Sequence, residues 1–194
     1  FALKGFFHVT YKVIIVEKDK WGGLCLNYGC IPSKALLYAS EIVETIKKGE
    51  KYGIKAEKVT IDTNQLREKK RKVVNQLVSG VEYLLKQSGA TMILGEARFL
   101  EPNLVKVITN QGDEVRLVAD NIFIATGSLP FSVPSLPLDE KFIITSKEAL
   151  EIPFVPQKML VIGGGYVGME MAVVYHSLGS QVTVMEMQDS IFLA

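Results

Sequence analysis

Apolar positions along this chain change their spacing several times, and each change marks an element. The run Tyr11-Lys-Val-Ile-Ile-Val-Glu17 is β-branched, nearly continuous and ends in an acid, the pattern of a buried parallel strand. A loop rich in glycine follows. Ala35, Leu36, Ala39, Ile42, Val43 and Ile46 then recur at helical spacing, which predicts a helix from Ser33 to about Ile46, with Pro32 where a first turn tolerates it. Residues 66–86 repeat that spacing through Val73, Leu77, Val81, Leu84 and Leu85, and Ser88-Gly89 supplies a stop.

Beyond Gly89 the pattern shortens to strands at 91–94, 104–109 and 114–119, with Gln111-Gly112-Asp113 as a hairpin-like turn. Residues 121–125 read as another buried strand. The stretch 128–157 holds Pro130, Pro134, Pro137, Pro153 and Pro156, five of seven prolines, and reads as a crossover with a domain boundary near residue 145. Residues 158–162 predict a strand, 163–168 a turn, 169–178 a helix stopped by Gly179, and 181–187 a second strand. That is one β-α-β unit, too short to complete a doubly wound sheet. The expected division is therefore 1–145 and 146–194.

Composition narrows the classes. With 194 residues, 48% hydrophobic and 22% charged, the chain has the make-up of an ordinary globular protein, and disordered and fibrous classes drop out. A net charge of +1 leaves no footprint for nucleic acid, and the basic run at residues 67–72 reads as a solvated helix face. No apolar stretch approaches the ~18 residues of a membrane span, and Phe1-Ala2-Leu3-Lys4 does not read as a signal peptide. A soluble protein, without nucleic-acid or membrane partners, is expected. Two cysteines are too few for a secreted disulfide framework, which favours a cytosolic redox or metal role.

The two cysteines lie in Gly22-Gly23-Leu24-Cys25-Leu26-Asn27-Tyr28-Gly29-Cys30-Ile31-Pro32-Ser33-Lys34. On an ideal helix, positions five apart have Cα atoms roughly 8 to 9 Å apart, beyond the roughly 7 Å limit for a disulfide. They can bridge only across a turn or a distorted helix start, for which Asn27 and Gly29 supply the residues. With regular helix beginning just after Cys30, the helix terminus favours a thiolate there, and Lys34 adds a positive charge one turn on. An inert buried pair and half a metal site compete with that reading. Zinc usually takes four ligands, and His8 and His176 show no spacing relation to the cysteines, so redox work is preferred.

A second motif is Gly163-Gly164-Gly165-Tyr166-Val167-Gly168, with Glu186 eighteen residues past its last glycine. It follows a strand, opens a helix and meets an acid at the end of the next strand, as dinucleotide binding requires. Gly163, Gly165 and Gly168 allow close approach of a pyrophosphate at the helix N-terminus. Glu186 would accept hydrogen bonds from a ribose 2′-hydroxyl and repel a 2′-phosphate, which argues for NAD over NADP. Glu17 ends its strand in the same way and should mark the ribose of a first nucleotide, with Lys18 beside it. Counting back eighteen residues places the matching phosphate loop ahead of residue 1, with residues 1–9 as what remains of its helix.

These residues resemble the pyridine nucleotide-disulfide oxidoreductases, and within that family the branch that oxidises protein-bound dihydrolipoamide. The cysteine motif through Lys34, Ile124-Ala125-Thr126-Gly127-Ser128, Ser146-Lys147-Glu148-Ala149-Leu150 and the Gly163 loop match in that order. Glutathione reductases, with basic residues where Glu186 sits, fit less well. A mercuric-type reductase and a non-catalytic assembly module are rival assignments.

The resemblance implies an α/β fold: FAD- and NAD-binding Rossmann-like domains, each with a central parallel sheet and helices, plus a small antiparallel meander. Residues 1–145 would be the FAD domain and 146–194 the start of the NAD domain. It further implies that Cys30 faces the flavin while Cys25 exchanges with substrate, and that Lys34 lies near the flavin and pairs with Glu170. Thr126, Gly127 and Ser128 would touch FAD, Ala97 would meet its adenine end, and Tyr166 would sit where the nicotinamide docks. A homodimer, a lipoyl domain of 2-oxo acid dehydrogenase complexes as partner, and a His-Glu base from a C-terminal interface domain are implied too. So is a cytoplasmic location, or the mitochondrial matrix in a eukaryote. His176 is expected on the surface.

Overall fold

The structure, a computed structural model, describes residues 11–131 and 133–192. The expectation for residues 1–9 lies outside them. Strand β1 (Ile14–Glu17) is followed by α1 (Gly23–Tyr28) and α2 (Cys30–Gly49), then by α3 (Thr63–Gln87). Next come β2 (Thr91–Glu101), β3 (Leu104–Thr109), β4 (Glu114–Val118), α4 (Ser146–Ala149), β5 (Lys158–Ile162), α5 (Tyr166–Leu178) and β6 (Gln181–Met185). Among the described residues, no helix is long and apolar enough to cross a membrane.

The described chain forms two compact units. One comprises residues up to 21 together with 79–126. Its sheet has the order β1-β2-β3-β4. β1 runs parallel to β2, with Ile14 opposite Thr91 and Glu17 opposite Leu94, whereas β2, β3 and β4 form an antiparallel meander. Gly112, at φ 94°, turns the β3–β4 hairpin, with its N–H on the Thr109 carbonyl at 2.9 Å. Val107 on β3 is fully buried.

The second unit comprises residues 22–78 and 127 onward. β5 and β6 pair in parallel from Lys158–Gln181 to Ile162–Met185, and α5 connects them. Leu36 and Val43 of α2 share one core with Ala149, Leu150 and Ile152 and with Met171, Val174, Tyr175 and Leu178 of α5. Met159 of β5 and Val182 of β6 pack against it. Removing this apolar area from water is the main force holding the unit together. Gly179, at φ 117°, closes α5 with its N–H on the His176 carbonyl at 3.0 Å.

The α/β class with a parallel pairing and a meander is as expected, and most elements stand where spacing put them. Four readings need correction. Residues 23–28 are helix, not loop. Residues 121–125 form no strand, and Phe123 and Ile124 are exposed: an apolar run becomes strand only where a neighbour accepts its hydrogen bonds, and no described strand pairs with it. β2 continues seven residues past Leu94, through Gly95, to Glu101, because β3 offers it a partner along that length. The basic run at 67–72 is not a uniformly solvated face.

Lys70, within that run, is buried at 3% exposure. Its ammonium donates to the Leu150 carbonyl at 2.8 Å and to Glu151 Oε1 at 2.6 Å, while Arg71 binds Glu151 Oε2 at 2.6 Å. Burial pushes the Lys70 pKa down, and Glu151 opposes it. The next residue after Glu151, Ile152, is fully buried at φ 41°, a strained conformation for a β-branched side chain that its surroundings must impose. The compact units also divide the chain differently from the expected boundary near 145.

Candidate functional site

The cystine sits where one helix breaks and another begins. Cys25 lies in α1 and Cys30 is the first residue of α2, with Gly29 between the helices at φ −141° and ψ −113°. That break shortens the Cα separation to 4.8 Å, well inside bridging range, and the two sulfurs are bonded. Asn27 Nδ2 holds the first helix by donating to the Gly23 carbonyl at 3.0 Å. Ser33 stitches the second: its N–H donates to the Gly29 carbonyl at 3.0 Å and its hydroxyl to the Cys30 carbonyl at 3.2 Å.

Electrostatics around the bond favour negative charge on sulfur. Cys30 stands at the N-terminus of a 20-residue helix whose first turn carries no acid. Lys34, exposed, follows one turn later. The Lys147 ammonium lies 5.0 Å from the Tyr28 ring centroid, between the cysteines in sequence. Both cysteines are exposed, so a dithiol could reach them. The turn containing Gly127 is close to this segment, because a Cβ added at Gly127 would stand 4.0 Å from Leu24 Cβ. Cys25, Cys30, Lys34, Gly127 and Ser128 therefore belong to one unit, while Glu17, Lys18, Ala97 and Thr126 belong to the other.

The glycine-rich loop is built by close approach. Gly163 takes φ 105° with its N–H on the Met185 carbonyl at 2.8 Å, which ties the loop to the end of β6. Gly168 sits so tightly in the first turn of α5 that a Cβ there would meet the Gly163 carbonyl oxygen, and would stand 3.1 Å from Val161 Cγ1. Gly165 is the N-cap, and its carbonyl accepts the Met169 N–H at 3.0 Å. Glu186, just past β6, accepts the Gly164 N–H at 2.5 Å and those of Met187 and Gln188 at 2.7 and 2.8 Å. Those backbone donors hold its carboxyl below the usual carboxylate range. A loop whose Gly164 N–H meets a carboxylate, and which has no room for a Cβ at Gly164 or Gly168, fits the pyrophosphate and ribose of a dinucleotide.

Glu17 repeats part of this arrangement, its Oε1 accepting the Asp19 N–H at 2.8 Å as Glu186 Oε1 accepts the Gln188 N–H. Ala97 is exposed on β2, opposite Val107. Tyr166 opens α5, 68% exposed and tilted against Phe192. Lys34 and Glu170 do not form an ion pair in this structure, Lys34 being exposed and Glu170 half-buried. His176 is exposed, as expected.

Sequence reasoning missed three contributors. One is the Thr145 cap of α4, where Glu148 returns to the Thr145 N–H at 2.8 Å. The Thr-x-x-Glu spacing was there to find it. The second is Tyr175, whose hydroxyl donates to the Ala149 carbonyl at 2.8 Å and whose burial pushes its pKa up to about 12. The third is Phe192, and nothing in the local sequence signals its contact.

Comparison with known proteins decides between these chemistries. The family model described as pyridine nucleotide-disulphide oxidoreductase matches residues 3–194. The chain belongs to this family. A dihydrolipoamide dehydrogenase of Chaetomium thermophilum is 46% identical over 182 residues, covering 93% of this chain and 36% of that protein. Dihydrolipoyl dehydrogenase of Trypanosoma brucei brucei is 47% identical over 178 residues, covering 90% of this chain and 37% of its own. That of Bacillus subtilis is 38% identical over 184 residues, covering 94% and 40%. The chain thus spans less than half the length of these relatives. The crystal structure of LpdA from Mycobacterium tuberculosis is 22% identical at a TM-score of 0.84, covering 94% of this chain and 40% of that one, and it shows the shared fold.

Proposed function

We propose that this chain is the part of a dihydrolipoyl dehydrogenase that carries the redox cystine and begins the NAD site. The observation that carries the reading is the Cys25–Cys30 bond across a helix break, with Cys30 in the positive field of α2. In thiol–disulfide exchange the sulfur that leaves as the better-stabilised thiolate leaves faster. The helix terminus and Lys34 stabilise Cys30, so substrate thiolate attacks Cys25. That attack forms a mixed disulfide on Cys25 and releases Cys30 as thiolate. The second substrate thiol, once deprotonated, displaces Cys25 and closes the lipoyl disulfide, leaving two electrons on the cysteine pair.

A bound flavin would supply the two-electron chemistry that links this dithiol to a nicotinamide. Residues Thr126, Gly127 and Ser128, with Glu17, Lys18 and Ala97, are assigned to hold it, and Lys34 to lie near its ring. Gly163, Gly165, Gly168 and Glu186 are assigned to NAD, with Tyr166 at the nicotinamide end and Glu170 beside Lys34. Residues 1–145 serve the flavin and 146–194 the NAD. In the whole protein we place a lipoyl domain of a 2-oxo acid dehydrogenase complex as the substrate carrier, a homodimer as the assembly, and the cytoplasm or mitochondrial matrix as the location. The names of the relatives and the choice of Glu186 over a base support this reading.

The test is direct. Dihydrolipoamide added to the chain should yield two alkylatable thiols, located by mass spectrometry at Cys25 and Cys30, and NADH should bind more tightly than NADPH. A cystine that stays closed in excess dihydrolipoamide would refute the assignment.

A further inference from the structure

The turn that follows β6 folds back over the glycine-rich loop and holds Gly164 from both sides. Gly164 donates its N–H to Glu186 Oε2 at 2.5 Å, and its carbonyl accepts the Phe192 N–H at 3.0 Å. Ile191 closes on the same residue, with Cγ2 2.8 Å from where a Cβ of Gly164 would stand. The Phe192 ring rests on Tyr166, centroids 5.3 Å apart at 42°. Glu186 is engaged on both oxygens, since Oε1 accepts from Met187 and Gln188.

Phe192 makes these contacts at φ 61°, a left-handed conformation that a non-glycine residue holds only where surroundings enforce it. The closed turn is therefore strained as well as stabilised. A dinucleotide laid across this loop would use groups that the turn contacts: the Gly164 amide beside the pyrophosphate, Glu186 for a ribose hydroxyl, and the Tyr166 ring at the helix start.

Resting on the nucleotide site assigned above, we propose that residues 186–192 form a strap that closes the glycine loop in the free protein and lifts from Gly164 when a dinucleotide binds. Phe192 is its latch. Glu186 then exchanges the Gly164 N–H for a sugar hydroxyl. When the binding-competent form is only fractionally populated, apparent affinity falls by that fraction. Weakening the latch therefore tightens nucleotide binding, whereas trimming a side chain that merely lines the site would weaken it.

Phe192→Ala tests this, since Phe192 is half-exposed and outside the core. NADH affinity is read by its fluorescence, and hydrogen exchange at the amides of Gly164 and residue 192 is followed without nucleotide. In the free wild type both amides should be protected. In the variant that protection should fall about fivefold and NADH should bind about fivefold tighter, the factor to which an aromatic contact of about 1 kcal/mol converts. If the wild type binds NADH but Phe192→Ala binds it equally or more weakly, the strap is overturned and the nucleotide site stands. Unprotected amides in the free wild type overturn the strap whatever the affinity, and a wild type that does not bind NADH overturns both.

Discussion

The starts of α2 and α5 solve the same problem, how to bring reactive or charged groups to a helix N-terminus, by opposite means. At α2 the helix is broken at Gly29 and the gap is closed by a covalent bond between exposed sulfurs. At α5 the chain is compressed until a Cβ has no room at Gly168, and the Gly164 amide turns to the carboxylate of Glu186 just past the neighbouring strand. The first arrangement carries no charge while the bond is intact and gains thiolate charge only when two electrons reduce it. The second sets a carboxylate, that of Glu186, against the Gly164 amide. The cystine is thus complete within its own segment, whereas the Gly164 amide depends on a carboxylate twenty-two residues on.

Both starts rest on one core, so the deepest disturbance strikes them together. Leu36 of α2 is fully buried in the cluster that includes Val174 of α5, and Leu36→Ala should cost about 3 kcal/mol in urea unfolding. Tyr38→Ala, on the exposed side of the same helix, should cost under about 0.5 kcal/mol by comparison. Equal effects would mean that α2 does not anchor the unit as described.

A smaller change should separate the two sites. Gly168→Ala forces a methyl group against the Gly163 carbonyl and should cost about 1–3 kcal/mol while abolishing NADH binding. Dihydrolipoamide should still open the cystine in that variant, because an ordinary folding stability of about 5–15 kcal/mol exceeds that loss. Gly165→Ala, where the added Cβ meets nothing within 4 Å, should leave stability nearly unchanged.

Acid should act most weakly and on the second site first. Backbone donors from Gln188, Gly164 and Met187 lower the Glu186 pKa, so the folded state releases its proton more readily than the unfolded state. The resulting stabilisation is complete above the unfolded value, about 4.3, and is lost as pH falls through the folded one. The protection factor of the Gly164 amide, its exchange relative to the intrinsic rate at each pH, should therefore fall as pH drops through the folded-state value, and Glu186→Gln should flatten that dependence. A protection factor that does not change with pH would show that the carboxylate does not hold the loop.

Much of this was readable from spacing. The helical period of 35–46, the strand runs before Glu17 and Glu186 and the stop at Gly179 are local patterns, and local patterns survive folding. What escaped depends on partners distant in the chain. α1 has only six residues, too few to announce itself by period, and Gly22-Gly23 disguised it as loop. Lys70 is buried because Leu150 and Glu151, eighty residues on, receive its ammonium. Residues 121–125 have the composition of a strand without a described neighbour to make them one. In the site, the cysteines, glycines and Glu186 are legible because their chemistry fixes their type and spacing. The return of Phe192 onto Gly164 is backbone geometry, to which side-chain pattern is blind.

The order of attack on the cystine is the central claim, and trapping reports it most directly. Brief treatment of the closed cystine with a limiting monothiol, followed by alkylation, should leave the mixed disulfide on Cys25 and the alkyl group on Cys30, as located by mass spectrometry, because Cys30 is the better-stabilised leaving thiolate. A mixed disulfide on Cys30 with the alkyl group on Cys25 would contradict the account, because it would make the helix-stabilised sulfur the one that exchanges with substrate.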